Sequence, residues 1–396
     1  MRSLPLALLL LAAPVAAGEG TRLKLSADVG VELRVFKHNP AFAGQRGTDG
    51  SVWARPELLY EWNGGDSSFS FAPFARWDRN DERRTHADIR ELALRHDAGA
   101  VEVHAGVRTV FWGATESVHL VNIVNQTDLV ENPDGEDKLG QPMVDALWRT
   151  PLGNLEAFVL PYFRERTLPG PEARLRAPVP FDENEAIYES DRREHHVDSA
   201  LRWSLHRAGL DLGLAYFRGT ARAPRFLLRN PGGGPVLTPV YDQVEQAGLD
   251  ASYLAGAWQW KLESLYQDSR AGHYSAAAGG FEYTASDVAG SGADLGWLLE
   301  YQWDERGRAS PSPFQRDLYL GARLVANDEY STEFLAGLTH DLQTDGRFGN
   351  LEASRRVGES SKLVLELRLF EHAEPADPLF NFRQDDYLQL EYVRFF

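Results

Sequence analysis

The sequence predicts an all-β protein: a transmembrane, antiparallel, up-and-down β-barrel of about eighteen strands (16–20), with short turns at one end and long loops at the other. Three observations predict it. Apolar and polar side chains alternate over stretches long enough to cross a bilayer. The links between those stretches alternate between short and long. Aromatic residues gather near the ends of the stretches. A helical period of 3.6 is sustained nowhere.

The first seventeen residues, "MRSLPLALLLLAAPVAA", combine a positive Arg2, an apolar core over 4–15 and small residues at Ala16 and Ala17. This is the pattern of a cleaved signal peptide (1–17), which implies export; the core is shorter than the ~20 residues a spanning helix needs. Residues 18–396 then read as one barrel domain, with no linker to divide them. The 396-residue chain has no cysteine, which excludes disulfide and thiol chemistry, and a formal net charge of -17. Acidity without a Lys/Arg cluster argues against nucleic acid as a partner. Mean hydropathy is -0.39, yet a strand can hide lipid-facing residues among polar ones.

The strands follow in order. Leu23, Leu25, Ala27, Val29, Val31, Leu33 and Val35 alternate with Lys24, Ser26, Asp28, Gly30, Glu32 and Arg34. Successive strand side chains point to opposite faces, so one face here is apolar and the other largely charged. The same alternation marks 210–216, 295–304, 317–324 and 362–369. It shifts phase near 88–96 and is weak over 244–255. Between strands, short turns such as Gly64-Gly65-Asp66, Pro151-Leu152 and Gly256 alternate with long links such as 37–50 and 220–241. The aromatic girdles expected at the two bilayer surfaces are Trp148, Trp258, Trp260 and Trp297 at the turn end, and Trp53, Trp77 and Trp303 at the loop end.

The last strand sets Leu388, Leu390 and Tyr392 against Gln389 and Glu391. It must pair with the first, because an open edge would expose backbone groups to lipid at several kcal/mol each. Its end, with Tyr392 and the final Phe396, resembles the C-terminal assembly signal of Gram-negative outer-membrane proteins. That resemblance implies an outer-membrane location among lipid, with periplasmic chaperones and the barrel-assembly machinery as partners.

The most distinctive stretch runs from Gly106 to Gly140. "GVRTVFWG", followed by an Asn/Asp-containing segment, is similar to a family of porin-like outer-membrane proteins, mostly uncharacterised, in which Gln is common where Arg108 stands here. "LEAFVLPYF" and "LLEYQWD" carry a weaker likeness. The resemblance supports the barrel more firmly than any substrate; a barrel of this strand number would enclose an aqueous channel unless something fills it, and no cofactor is expected. Read from its residues, the long loop (about 112–142) either folds into the lumen and narrows it or stays a solvated surface loop. In the first case Asn122, Asn125, Asp128, Glu131, Asp134, Glu136, Asp137 and Lys138 should face Glu102, His104 and Arg108 at a constriction, where charge sets which solutes pass.

The lumen face should carry Lys24, Asp28, Glu32, Arg34, Arg55, Glu57, Glu61, Arg76, Arg108, Glu156, Arg202, Lys261, Glu263, Glu300, Arg323, Glu366 and Arg368. Both signs are present in similar measure, which favours passive diffusion of a small-molecule solute with weak charge selectivity. The acidic run Asp134, Glu136, Asp137 lacks the spacing of a calcium loop, so no metal is expected. An outer-membrane lipid or ester hydrolase is an alternative, with Ser117 and His119 or His195 and His196 to be considered, though neither pair comes with a third orienting group. A loop-mediated binding or receptor protein is another, and a homo-oligomer is compatible with the sequence.

Overall fold

A computed structural model describes residues 20–182, 185–375 and 377–396; the proposed signal peptide lies outside them. The strands are β1 (Arg22–Phe36), β2 (Thr48–Trp62), β3 (Ser67–Asp78), β4 (His86–Asp97), β5 (Val101–Arg108), β6 (Gln141–Thr150), β7 (Gly153–Leu160), β8 (Ile187–Tyr188), β9 (Asp198–Arg207), β10 (Leu210–Thr220) and β11 (Arg225–Arg229). They continue as β12 (Val236–Tyr241), β13 (Gln243–Ala255), β14 (Trp258–Ser269), β15 (Gly272–Ala285), β16 (Asp294–Asp304), β17 (Arg316–Val325), β18 (Glu333–Asp341), β19 (Arg347–Arg356), β20 (Ser361–Glu371) and β21 (Tyr387–Phe395).

Eighteen of these form one closed sheet in which each strand pairs antiparallel with its neighbours. Only β8, β11 and β12 stand apart, as a small sheet at the loop end. Closure is made by β21 on β1, in register from Asp28↔Phe395 to Phe36↔Tyr387. Phe396 extends that ladder, its backbone exchanging hydrogen bonds of 3.2 and 2.9 Å with Ala27. The fold is therefore a barrel with no free edge, the arrangement that satisfies backbone groups in hydrocarbon.

Side chains are sorted opposite to a soluble protein. On β1, Val31 and Leu33 are 52% and 49% exposed, while Glu32 and Arg34, which alternate with them, are 4% and 5% exposed. Apolar residues on the outside and buried charges on the inside are stable only when the outside is lipid. Trp77, Trp148, Trp258, Trp260 and Trp297 are all exposed on the outer wall.

Trp53 corrects the girdle expected from sequence. Its ring lies over Gly30 inside the barrel, where a Cβ would meet it at 2.3 Å, and its Nε1 donates to Glu391 at 2.5 Å. The absent side chain at Gly30 creates that space. The phase shift near 88–96 is a bulge: Pro73 pairs with Ile89 and Ala72 with Glu91, so Arg90 is the extra residue. Link lengths alternate as expected up to β14; beyond it the pattern breaks, because residues 270–271 and 342–346 make short links at the loop end while 286–293 and 326–332 make longer ones at the turn end.

Val31→Arg should destabilise the barrel in a bilayer by roughly 2–4 kcal/mol, the usual cost of arginine on a lipid-facing strand near the midplane. Ser26→Arg, on the inner face of the same strand, should cost little. Urea titration of protein folded into vesicles reads both.

Candidate functional site: a loop clasped across the lumen

The chain leaves the wall at the end of β5. Gly106 has φ 140°, and a Cβ there would sit 2.1 Å from the Leu92 carbonyl oxygen, so only glycine lets β5 press this closely on β4. Residues 109–140 then run inward and return to β6. Asn125 ties the neck of this excursion. Its oxygen accepts from the Val110 amide at 2.9 Å, and its nitrogen donates to the Arg108 and Leu139 carbonyls at 2.8 and 2.9 Å.

One side of the loop is apolar. Trp112, Val121, Ile123 and Val124 form a buried cluster with Met143, Phe158, Leu160, Phe217 and Val244 on the inner wall. Trp112 meets Phe158 edge-on at 5.7 Å, and Arg202, held by Asp250, lies over the same indole at 5.1 Å. Burying large side chains of this kind contributes roughly 1.5–3 kcal/mol each, enough to draw a loop into an otherwise wet lumen.

The tip is held by two carboxylates from the far wall. Glu263 on β14 accepts from the amides of Ala114 (2.7 Å), Thr115 (3.0 Å) and Val121 (3.2 Å), and from the Thr115 hydroxyl (2.8 Å). Glu300 on β16 accepts from the amides of Glu116 and Ser117, both at 2.9 Å, and from the Ser117 hydroxyl at 2.6 Å. Both are fully buried, and these bonds compensate their desolvation. Glu116 itself reaches Arg323 (2.6 Å) and Lys261 (3.6 Å).

The opposite flank is a network of arginines. Arg76 and His86 both bond Glu131 at 2.7 Å, and Arg34 and Arg84 donate to its backbone carbonyl at 3.1 and 3.2 Å. Glu32 bridges Arg34, Arg76 and Arg84. Asp128 takes Arg90 at 2.5 Å, Asp134 takes Arg368 at 3.2 Å, and Asn132 donates to Glu366. The loop thus touches the wall on nearly every side of the barrel.

Burial alone would raise the Glu131 carboxyl, but His86 and the Arg76 and Arg84 charges hold it at about 2. Burial pushes Asp134 to about 6 and Asp137, which also faces Glu131 and Asp134, to about 7. Burial likewise lowers Lys138 to about 8; its ammonium donates to Thr127 and the Gly135 carbonyl.

The sequence expectation that the loop's acids face Glu102, His104 and Arg108 is corrected. Glu102 binds Arg95 and Arg149 near the turn end, His104 bridges Glu102 and Asp145, and Arg108 also pairs with Asp145. The reason is topological: these residues lie on the strand that launches the loop, and the loop crosses away from them. Glu136 meets His119 at 3.2 Å, not a wall residue. Arg55 pairs with Asp28 and Glu57 below the loop.

The groupings weighed from sequence for catalysis or metal are separated. Ser117 bonds Glu300, while His119 bonds Glu136; His196 pairs with Asp198, and His195 is exposed. Asp134 and Glu136 go to different cations. Among the described residues, ligand atoms converge only at His86, Asp128 and Glu131, and arginines already occupy the Asp128 and Glu131 carboxylates. Sequence reading placed Glu263 and Glu300 on the lumen face without showing their role as clasps. It also missed Arg84, Arg90 and the loop's apolar half, for which "VHLVNIV" was the available signal.

No family model matches the chain, and no curated protein matches it. Solved structures that match include three engineered variants of the porin of Rhodopseudomonas blastica. They are 12%, 11% and 12% identical, with TM-scores of 0.47, 0.46 and 0.44, and each alignment covers 95% of this chain and 100% of the other.

Two outcomes follow from the clasp. Glu263→Gln should weaken the seating of the tip by about 1.5–3 kcal/mol, the scale of a hydrogen bond to a charged group, and speed proteolysis within 109–140. His119 gives a pH dependence. Burial would lower its pKa, but the hydrogen bond to Glu136 and the Glu263 carboxylate 3.6 Å away raise it to about 9. Its contribution is complete below the ordinary imidazole value of about 6.5 and is lost as pH rises through about 9. Proteolysis of the loop should therefore accelerate above that pH in the parent and lose this dependence in His119→Gln.

Proposed function

We propose that this protein is a porin-like outer-membrane channel for passive diffusion of small hydrophilic or amphipathic solutes, with weak charge selectivity and no chemical turnover. The observation that carries the reading is a lumen narrowed by a clasped loop yet still wet beside it. At loop level, Glu136, Glu352 and Arg323 keep 54%, 45% and 33% of their side-chain surface accessible. Towards the turn end, Lys24, Arg55 and Glu57 are partly or largely exposed. Water and solutes would pass between the loop and the β17–β19 side of the wall.

Weak selectivity is supported by pairing. Glu136 lies against His119, Glu352 against Arg368, and Arg323 between Glu116 and Glu282. Paired charges offer a passing ion local dipoles in place of a field of one sign. Export through the 1–17 signal peptide, recognition of Tyr392 and Phe396 by the barrel-assembly machinery, and self-association belong to the same proposal.

In planar bilayers the purified protein should conduct, with a zero-current potential close to zero across a KCl gradient. Glu136→Gln combined with Glu352→Gln should move that potential towards anion preference. Protein that inserts without conducting, or that hydrolyses a phospholipid or ester panel, would overturn the reading.

A further inference from the structure

Three neighbouring ladders of the wall are interrupted at one height. Between β2 and β3 the register runs to Ala54↔Ala75 and resumes at Leu58↔Phe71. Between β3 and β4 it shifts at Ala72/Pro73. Between β4 and β5 it spans only Leu92↔Val107 to Asp97↔Glu102, so the upper part of β4 has no strand on its β5 side. Pro56, Pro73 and Pro142 fall at this level; with no N–H to satisfy, they suit a wall whose ladder is broken.

The break is stoppered from within. Gly140 packs so closely on β4 that a Cβ would lie 2.2 Å from the Ile89 carbonyl oxygen. Arg90 donates to the Lys138 carbonyl at 2.9 Å. Arg164 donates to the Gly140 carbonyl at 2.7 Å and pairs with Asp88 at 2.8 Å, both through Nη1. Outside the stopper lies a recess of about 600 Å³, lined by Ala54, Pro56, Pro73, Ala87, Ile89 and Val107, with Arg164 among its lining residues.

A recess of this size on the bilayer side of a barrel does not stay empty. Its apolar walls give water too few partners, and the fluid next to it is lipid. The recess lies towards the long-loop end, and Arg164 adds a planar donor suited to phosphate oxygens. We propose that it is a lipid-binding site, taking an acyl chain from the leaflet at the loop end while Arg164 bonds the phosphate of the same lipid. A second copy of the chain would instead need a knob to fill the recess.

Native mass spectrometry of the full-length barrel, released from detergent with phosphatidylglycerol or phosphatidylcholine, tests this. The parent should retain one phosphatidylglycerol after other lipids have been stripped. Ala87→Trp and, independently, Ala54→Phe should fill the recess and cut that occupancy at least fivefold. Heat-modifiable migration on gels would show that both variants remain folded. Arg164→Gln should abolish the preference for phosphatidylglycerol over phosphatidylcholine and leave acyl binding in place. Equal lipid retention in the parent and in a folded recess-filling variant would overturn the proposal. So would dimers or trimers that dissociate in those variants, because a protein copy would then be the occupant. Conductance is read separately, so failure of the lipid site leaves the channel reading standing.

Discussion

A strand inside a bilayer has no water to satisfy its backbone, and every feature of this protein answers that constraint. The ladder from β1 round to β21 and back leaves no edge. The last residue, Phe396, is still hydrogen bonded to Ala27 on the first strand. Once the sheet is closed, its outer wall must be apolar to stay in lipid, and ionic side chains are driven to the inner wall. Buried charges such as Glu32 and exposed ones such as Lys24 share that inner face because water enters the lumen unevenly.

An interior so rich in charge would be costly if it were dry and leaky if it were empty. The loop over 109–140 resolves this by being two-faced. Its apolar residues give one sector of the wall a small hydrophobic core, and its backbone amides and acids neutralise charges elsewhere. Glu263 and Glu300 are the decisive wall residues, because a carboxylate that gathers several amides fixes backbone position as well as charge. Arg76 and Arg84 work from the other flank, reaching both the wall and the loop. The narrowing is thus set by bonds distributed around the barrel, so no single pair holds the loop alone.

How much of this the sequence revealed depends on the range of the interaction. Alternation is local, so the strands and their approximate number could be read directly. The bulge at Arg90 was visible as a phase shift without its cause. Loop partners were not legible, since Glu300 and Ser117 lie 183 residues apart in sequence and nothing in the spacing of either predicts the meeting. Glu102, His104 and Arg108 were assigned to the loop's acids because they precede the loop; proximity along the chain misled, since the loop crosses the barrel. Trp53 was placed at the surface by strand position, and the space beside Gly30 put it inside.

The most direct test uses the absence of cysteine from the chain, which makes any introduced thiol a single reporter. Thiols placed one at a time at 23–29 on β1, with the protein in vesicles, would be exposed to a membrane-impermeant maleimide. The account predicts a period of two, with reaction at 24, 26 and 28 and protection at 23, 25 and 29. Uniform reaction along the strand, or a period near 3.6, would contradict a wall with lipid on one side and water on the other.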